Sequence, residues 1–171
     1  MACETMAKGQ AEYLLPMLET LMQSAGLTWA DFAAIGVGVG PGNFTGIRIS
    51  VALARGLALG LGIPAIGVTG FDARAKGVTL GQFYTSIPAP RGQVYVQRFG
   101  RAEPAQLQDA VPEDAPNLPV SDLNGGQLAL AIAQIARERM AENQPRPAPY
   151  YLRPADASPP SDPPPLIFPQ G

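Results

Sequence analysis

Along residues 10–25, Leu14, Leu18, Leu21, Met22 and Ala25 recur at the i, i+4, i+7, i+8 spacing of an amphipathic helix, and Leu15 and Met17 widen the stripe. Pro16 falls in the first two turns, so the pattern predicts a helix that starts near Glu12 or kinks there, and Gly26 supplies the stop. Residues 34–39 form a short apolar run with no polar face, the pattern of a strand buried on both sides in a mostly parallel sheet. That run breaks off in Gly40-Pro41-Gly42-Asn43-Phe44-Thr45-Gly46. Asn43 or Thr45 can cap a second helix over 47–61, closed by Gly62 and followed by Pro64. A further buried strand over 65–69 completes a β-α-β unit.

Beyond Phe71 the pattern changes to two antiparallel strands, 83–87 and 94–99, joined by the turn-rich Pro88-Ala89-Pro90-Arg91-Gly92. Residues 102–124, rich in Pro, Asp and Asn, read as loop, and 127–143 as a helix with Leu128, Ile132, Ile135 and Met140 on one side. Ten of the 27 residues in 145–171 are proline, which excludes a regular helix or central strand and predicts an extended tail docking through Tyr150-Tyr151-Leu152. The expected organisation is a first lobe over 1–75, a smaller second lobe over 76–144 and a proline-rich tail over 145–171.

Composition changes this picture mainly by exclusion. The 171 residues are 46% hydrophobic, too apolar for a wholly disordered chain, and 12 basic against 14 acidic side chains leave no positive field to hold a polyanion. There is no histidine and one cysteine, Cys3. Triads, histidine general bases and His-ligated metals therefore lack their central group, and an internal disulfide has no second half. The expected setting is cytoplasmic, since no secretory signal is legible in the first residues. The apolar stretch 47–66 is interrupted by Arg48, Ser50, Arg55 and four glycines or prolines, a poor membrane span.

Two features carry candidate chemistry. The Gly40–Gly46 loop lies between a strand and a helix N-terminus, where free N–H groups and the helix dipole favour an anion. It lacks the lysine of a Walker loop and the spacing of a dinucleotide fingerprint, so phosphate binding stands beside a plain packing turn. In the following helix Ala52, Gly56 and Gly60 are spaced four apart, as are Ala54 and Ala58, which leaves a nearly flat face open to close approach by another backbone. Arg48 and Arg55 mark its polar edge. In so small a chain that face packs either in its own core or on a partner helix. Arg91, Arg98 and Arg101 beside Tyr84, Tyr95 and Phe99 read as a solvated strand face before a nucleic-acid platform, and Asp109, Glu113 and Asp114 as loop carboxylates.

The run from Gly38 through Gly40-Pro41-Gly42-Asn43-Phe44-Thr45-Gly46-Ile47-Arg48, continued by Ala54-Arg55-Gly56, Gly62-Ile63-Pro64 and Gly67-Val68, closely resembles the bacterial TsaB (YeaZ) family motif G-x-G-P-G-S/N-F-T-G-x-R. The stretch from Gln10 to Pro16 and the late Tyr151-Leu152-Arg153 are similar to the family as well. The resemblance implies an α/β fold of two lobes, actin-like/Hsp70-like (ASKHA), N-terminally truncated, because family members open with a hairpin and a third strand bearing a D-T-S-type loop. It further implies a non-catalytic scaffold of the complex that forms N6-threonylcarbamoyladenosine in tRNA. The partners would be a TsaD-like paralogue holding the catalytic metal, a TsaE-like ATPase, or a second copy of the chain, with tRNA met only through the complex and no membrane. No cofactor is expected for this chain, ATP being used by the complex. The expected interface comprises Leu14, Leu18, Arg48, Ala52, Arg55, Gly56 and Gly60. The rival expectation is a small nucleotide-binding ATPase-type enzyme using the Gly40–Gly46 loop.

Overall fold

The computed structural model describes residues 2–4, 6 and 9–152; the predicted tail lies outside them from Arg153 onward. Helix α1, Gln10–Ser24, carries Pro16 inside it and is closed by Ala25, whose N–H reaches back to the Leu21 and Met22 carbonyls. Strand β1, Ile35–Gly38, runs parallel to β2, Ala65–Val68, in the register Ile35↔Ala65 to Gly38↔Val68. Helix α2, Phe44–Leu61, connects them. It begins three residues before the predicted start, because the Asn43 side chain accepts the Gly46 N–H at 2.8 Å and caps it. Gly62, at φ 68, ends it in the left-handed conformation.

A short helix the sequence pattern missed, α3 at Gly70–Ala75, starts on a Thr69 cap and leads into the second sheet. Strands β3, Phe83–Pro88, and β4, Val94–Phe99, form the predicted antiparallel pair. The stretch read as loop over 102–124 holds two further short strands, β5 at Gln106–Gln108 and β6 at Asn117–Pro119. Three-residue strands carry too few alternations to be seen as a period, and β6 pairs because β3 offers it an edge. The sheet order is β5-β4-β3-β6, with β3 and β6 parallel.

Helix α4, Gly125–Arg139, opens with a mutual cap between Asn124 and Gln127. The sequence pattern grouped it with the second lobe, but it packs against β1 and β2. The alternation Ile35-Gly36-Val37-Gly38 explains how β1 serves two helices. Val37 and Val39 pack with Ile47, Val51 and Ala54 of α2. On the opposite face a Cβ at Gly36 would sit 2.9 Å from the Ala136 Cβ, so only glycine lets α4 come this close. Ile66 and Val68 then join Ala131, Ile135 and Ala136 in a cluster under α4. Phe71, fully buried, packs with Tyr95 and Ala105 and so ties α3 to the second sheet.

Candidate functional site

The Gly40 end of the glycine loop is packed by its own chain. Gly40 sits at φ 104, and a Cβ there would meet the Ile47 Cδ1 at 2.7 Å and the Tyr150 carbonyl at 3.1 Å. Its carbonyl accepts the Gly70 N–H at 3.0 Å, while the Tyr150 N–H donates to the Val39 carbonyl at 2.8 Å. At the helix start, the Gly46 N–H that a phosphate could use is taken by Asn43, and the Ile47 N–H by the Asn43 carbonyl at 3.0 Å. Pro41 is buried, whereas Gly42 and Thr45 remain exposed. The loop therefore works geometrically as a close-packed corner joining β1, α2 and the segment around Tyr150.

Arg48 belongs to this corner. Its guanidinium lies 3.9 Å from the centre of the Phe44 ring, its Nε–H donates to the Tyr151 hydroxyl at 2.9 Å, and Phe44 and Tyr151 stack at 4.8 Å. Lying over the Phe44 ring of the stacked pair, the guanidinium contributes through both ring quadrupole and hydrogen bond. The sequence placed Arg48 on the partner face; here it clamps the C-terminal segment onto α2. The signal was present in the pairing of Phe44-Arg48 at i, i+4 with a distant Tyr-Tyr, but no local period connects them.

The outer face of α2 is different in kind. Ala52, Arg55, Gly56 and Gly60 are exposed, and Leu59 is 82% exposed. A Cβ at Gly56 or Gly60 would meet no heavy atom within 4 Å. With mean hydropathy 1.4 over its 18 residues, α2 is also long and apolar enough to cross a membrane, where the sequence read the interrupted run 47–66 as a poor span. Its inner side, through Ile47, Val51, Ala54 and Ala58, is nevertheless buried in the chain. Leu14 and Leu18 are half-buried and face inward, lining a cavity with Leu53 and Leu57 beside β1. The seven predicted interface residues thus fall into three places: four on the outer α2 face, two in the inner groove and Arg48 in the aromatic clamp. A cavity of about 550 Å³ that sequence reasoning missed lies at the α2 C-terminus, and Arg55 and Arg146 are among the residues that line it.

The arginine grouping on the second sheet resolves into structure. Arg98, with an 11% exposed side chain, pairs with Asp114 at 2.9 Å and donates to the Tyr84 hydroxyl at 2.9 Å and to Gln82 at 2.9 Å. The Tyr84 hydroxyl in turn donates to Asp114 at 2.8 Å. That bond, followed by Arg98, holds the Asp114 carboxyl below its ordinary range, while desolvation and the same carboxylate push the Tyr84 phenol up. Among the described residues no group of three or more Asp, Glu or Cys side chains is placed to hold a metal.

Comparison with known proteins agrees with this architecture. The family model described as TsaD, tRNA N6-adenosine threonylcarbamoyltransferase, matches residues 3–157. The tRNA threonylcarbamoyladenosine biosynthesis protein TsaB of Escherichia coli is 35% identical over 104 residues, covering 58% of this chain and 45% of that protein. An uncharacterised protein of Mycobacterium tuberculosis is 34% identical over 168 residues, covering 90% of this chain and 79% of the relative. The chain thus spans less than half the length of the Escherichia coli relative it matches. The solved structure of YeaZ from Pseudomonas aeruginosa superposes with a TM-score of 0.62 at 23% identity, covering 87% of each chain. A second Pseudomonas aeruginosa structure, with similarity to peptidase YeaZ, gives 0.63 at 23% identity. The fold is accordingly of the actin-like/Hsp70-like class, and the chain belongs to the family that the tRNA N6-adenosine threonylcarbamoyltransferase model describes, with TsaB and YeaZ among the proteins it resembles.

Proposed function

We propose that this chain acts in the formation of N6-threonylcarbamoyladenosine in tRNA as a scaffold for a TsaD-like catalytic subunit, and is not itself the catalyst. The observation that carries this reading is the outer face of α2. It presents Ala52, Gly56 and Gly60 to solvent with nothing packed on the glycines, a surface that only a closely approaching backbone fills. A chain without histidine also has no imidazole to hold a metal, which assigns that task to the partner. In this reading ATP is consumed elsewhere in the complex, by a TsaE-like subunit. The tRNA is met only in the assembly, and the place of action is the cytoplasm. Close packing of Gly40 against Ile47 and Tyr150, with the Gly46 N–H taken by Asn43, weighs against the rival nucleotide-hydrolysing reading.

Pull-down of a TsaD-like subunit with Gly56→Leu and Gly60→Leu tests the proposal. Overpacking a tight contact costs about 1–3 kcal/mol, which weakens pairing by roughly 5- to 150-fold. The melting temperature of the isolated variants stays near that of the parent, because both side chains project into open space. Full retention of binding by both variants removes the outer α2 face from the interface. ATP titration of the isolated chain separates the rival reading: micromolar binding with turnover favours the enzyme.

A further inference from the structure

The cavity of about 550 Å³ at the end of α2 adjoins the bare helix face and shares residues with it: Arg55, Gly56 and Leu59 are exposed on the helix and also line the cavity. The segment that follows α4 adds Glu142, Gln144 and Arg146 to the lining. Ala58 and Ile66, both buried, make its inner part apolar.

The two arginines have no partner among the described residues. Arg48, Arg74, Arg98, Arg101 and Arg139 each bond another residue, through a hydroxyl, a carbonyl or a carboxylate. Arg55 and Arg146 form neither a hydrogen bond nor a salt bridge there. Glu142 does not serve them, because it accepts the Gln144 Nε2–H at 2.7 Å and pairs with neither guanidinium. Two arginines against Glu142 leave the lining one positive charge in excess, which one further carboxylate cancels.

We propose that the partner seated on the outer face of α2 inserts the carboxylate of an Asp or Glu side chain into this cavity, against Arg55 and Arg146. The inference rests on the scaffold reading above and adds the chemistry of the partner. In the isolated chain both arginines are exposed, and water solvates them. A helix about 10 Å across that closely approaches Gly56 and Gly60 overhangs the cavity mouth, since Gly56 and Leu59 belong to both surfaces. Covering the guanidiniums strips their water, and a buried charge without a partner costs far more than a paired one. The contact is tight only if the partner brings negative charge to the same place. A carboxylate meets that need, because its two oxygens match the paired N–H groups of a guanidinium, and the apolar lining from Ala58 and Ile66 strengthens the pair by excluding water. A backbone carbonyl accepts the same hydrogen bonds but leaves the excess charge in place.

The test is calorimetric titration of the full chain with the same organism's TsaD-like subunit, at low and high salt. Arg55→Glu with Arg146→Glu should weaken binding roughly 30-fold or more, the scale of breaking a buried charge pair. The neutral pair Arg55→Gln with Arg146→Gln should weaken it as well. Parent affinity should fall as salt rises, and that of the Gln pair should fall less. Arg91→Glu, at the exposed hairpin tip, should bind like the parent, and the isolated arginine variants should melt near the parent temperature, since neither guanidinium bonds the described fold. Binding that Gly56→Leu weakens and both arginine pairs leave intact keeps the helix interface and overturns the carboxylate. Full affinity in the Gln pair, with loss only in the Glu pair, overturns it too, because introduced repulsion then accounts for the loss. Weakening in both arginine pairs with full binding by Gly56→Leu supports the carboxylate and removes the helix face, so the two readings fail separately. A parent chain that does not bind the subunit overturns both.

Discussion

The two sheets differ in how their outward sides are covered. The β5-β4-β3-β6 sheet closes its exposed side with its own side chains: Phe83 and Phe99 stack across β3 and β4 at 5.0 Å, and Arg98, Tyr84 and Asp114 form a closed ring of hydrogen bonds. Among the described residues the β1–β2 sheet, with two strands among three helices, leaves apolar walls, an unpaired edge and a bare outer helix face. The second sheet still buries the Thr85 Oγ1 and the Arg98 Nε without a partner, so the contrast lies in exposed apolar surface, and the region that leaves such surface bare is the one open to being covered by something else. Substitutions that strain each region separately test that division.

The largest effect is expected at the junction. Phe71, with no exposed surface, packs against Tyr95 and Ala105 from α3 and so couples the regions. Phe71→Ala should destabilise the chain by about 3–5 kcal/mol through lost burial plus the cavity left behind. Chemical denaturation followed by Trp29, in the first region, and by tyrosine circular dichroism checks it. One shared transition that moves to lower denaturant supports the coupling, and two separated transitions with only one displaced would show that the regions unfold independently.

Next comes Gly36→Val, which should cost about 1–3 kcal/mol or more by forcing α4 away from β1, because the new Cβ starts 2.9 Å from Ala136 and 3.3 Å from the Ile132 carbonyl. Hydrogen exchange should rise over β1 and α4 and stay unchanged over β3 and β4. Smaller again, Asn43→Ala removes the α2 cap and should cost about 1 kcal/mol. Thermal melting measures it, and Asn43→Asp should recover most of the loss, since a carboxylate accepts the same N–H at the positive helix end.

How much of this was legible depended on range. Helices α1, α2 and α4 and strand β1 were readable because their signals are local: the leucine spacing in α1, the Asn43 cap, the Gly62 stop. The small-residue face of α2 was equally legible, since Ala52, Gly56 and Gly60 share one side by spacing alone. What was hidden was non-local. That Arg48 clamps Tyr151, 103 residues away, depends on the chain's return past β2 and on no nearby residue. Strands β5 and β6 exist only because β4 and β3 offer them edges. The placement of α4 on β1 was written in Gly36 and Gly38, but a glycine on a strand reads equally as a bulge or a bend until its neighbour is known.

The smallest expected effect isolates the second sheet by pH. Asp114 has its pKa lowered by the Tyr84 hydroxyl and by Arg98, so its contribution to stability is complete above the ordinary carboxylate pKa and is lost as pH falls through the folded value. Tyr84 is raised, by desolvation first and then by its bond to Asp114, so its contribution is complete below the ordinary phenol pKa and is lost as pH rises through the folded value. The ring therefore weakens on both the acid and the alkaline flank. Asp114→Asn should flatten the acid flank of a stability–pH curve, since an amide does not titrate, while Tyr84→Phe should flatten the alkaline flank and reduce the acid one. Because Trp29 lies in the other region, its emission at neutral pH should be the same in both variants and the parent. A change there would mean that the second sheet's polar ring reaches into the groove beside β1, and the division between a closed region and an open one would fail.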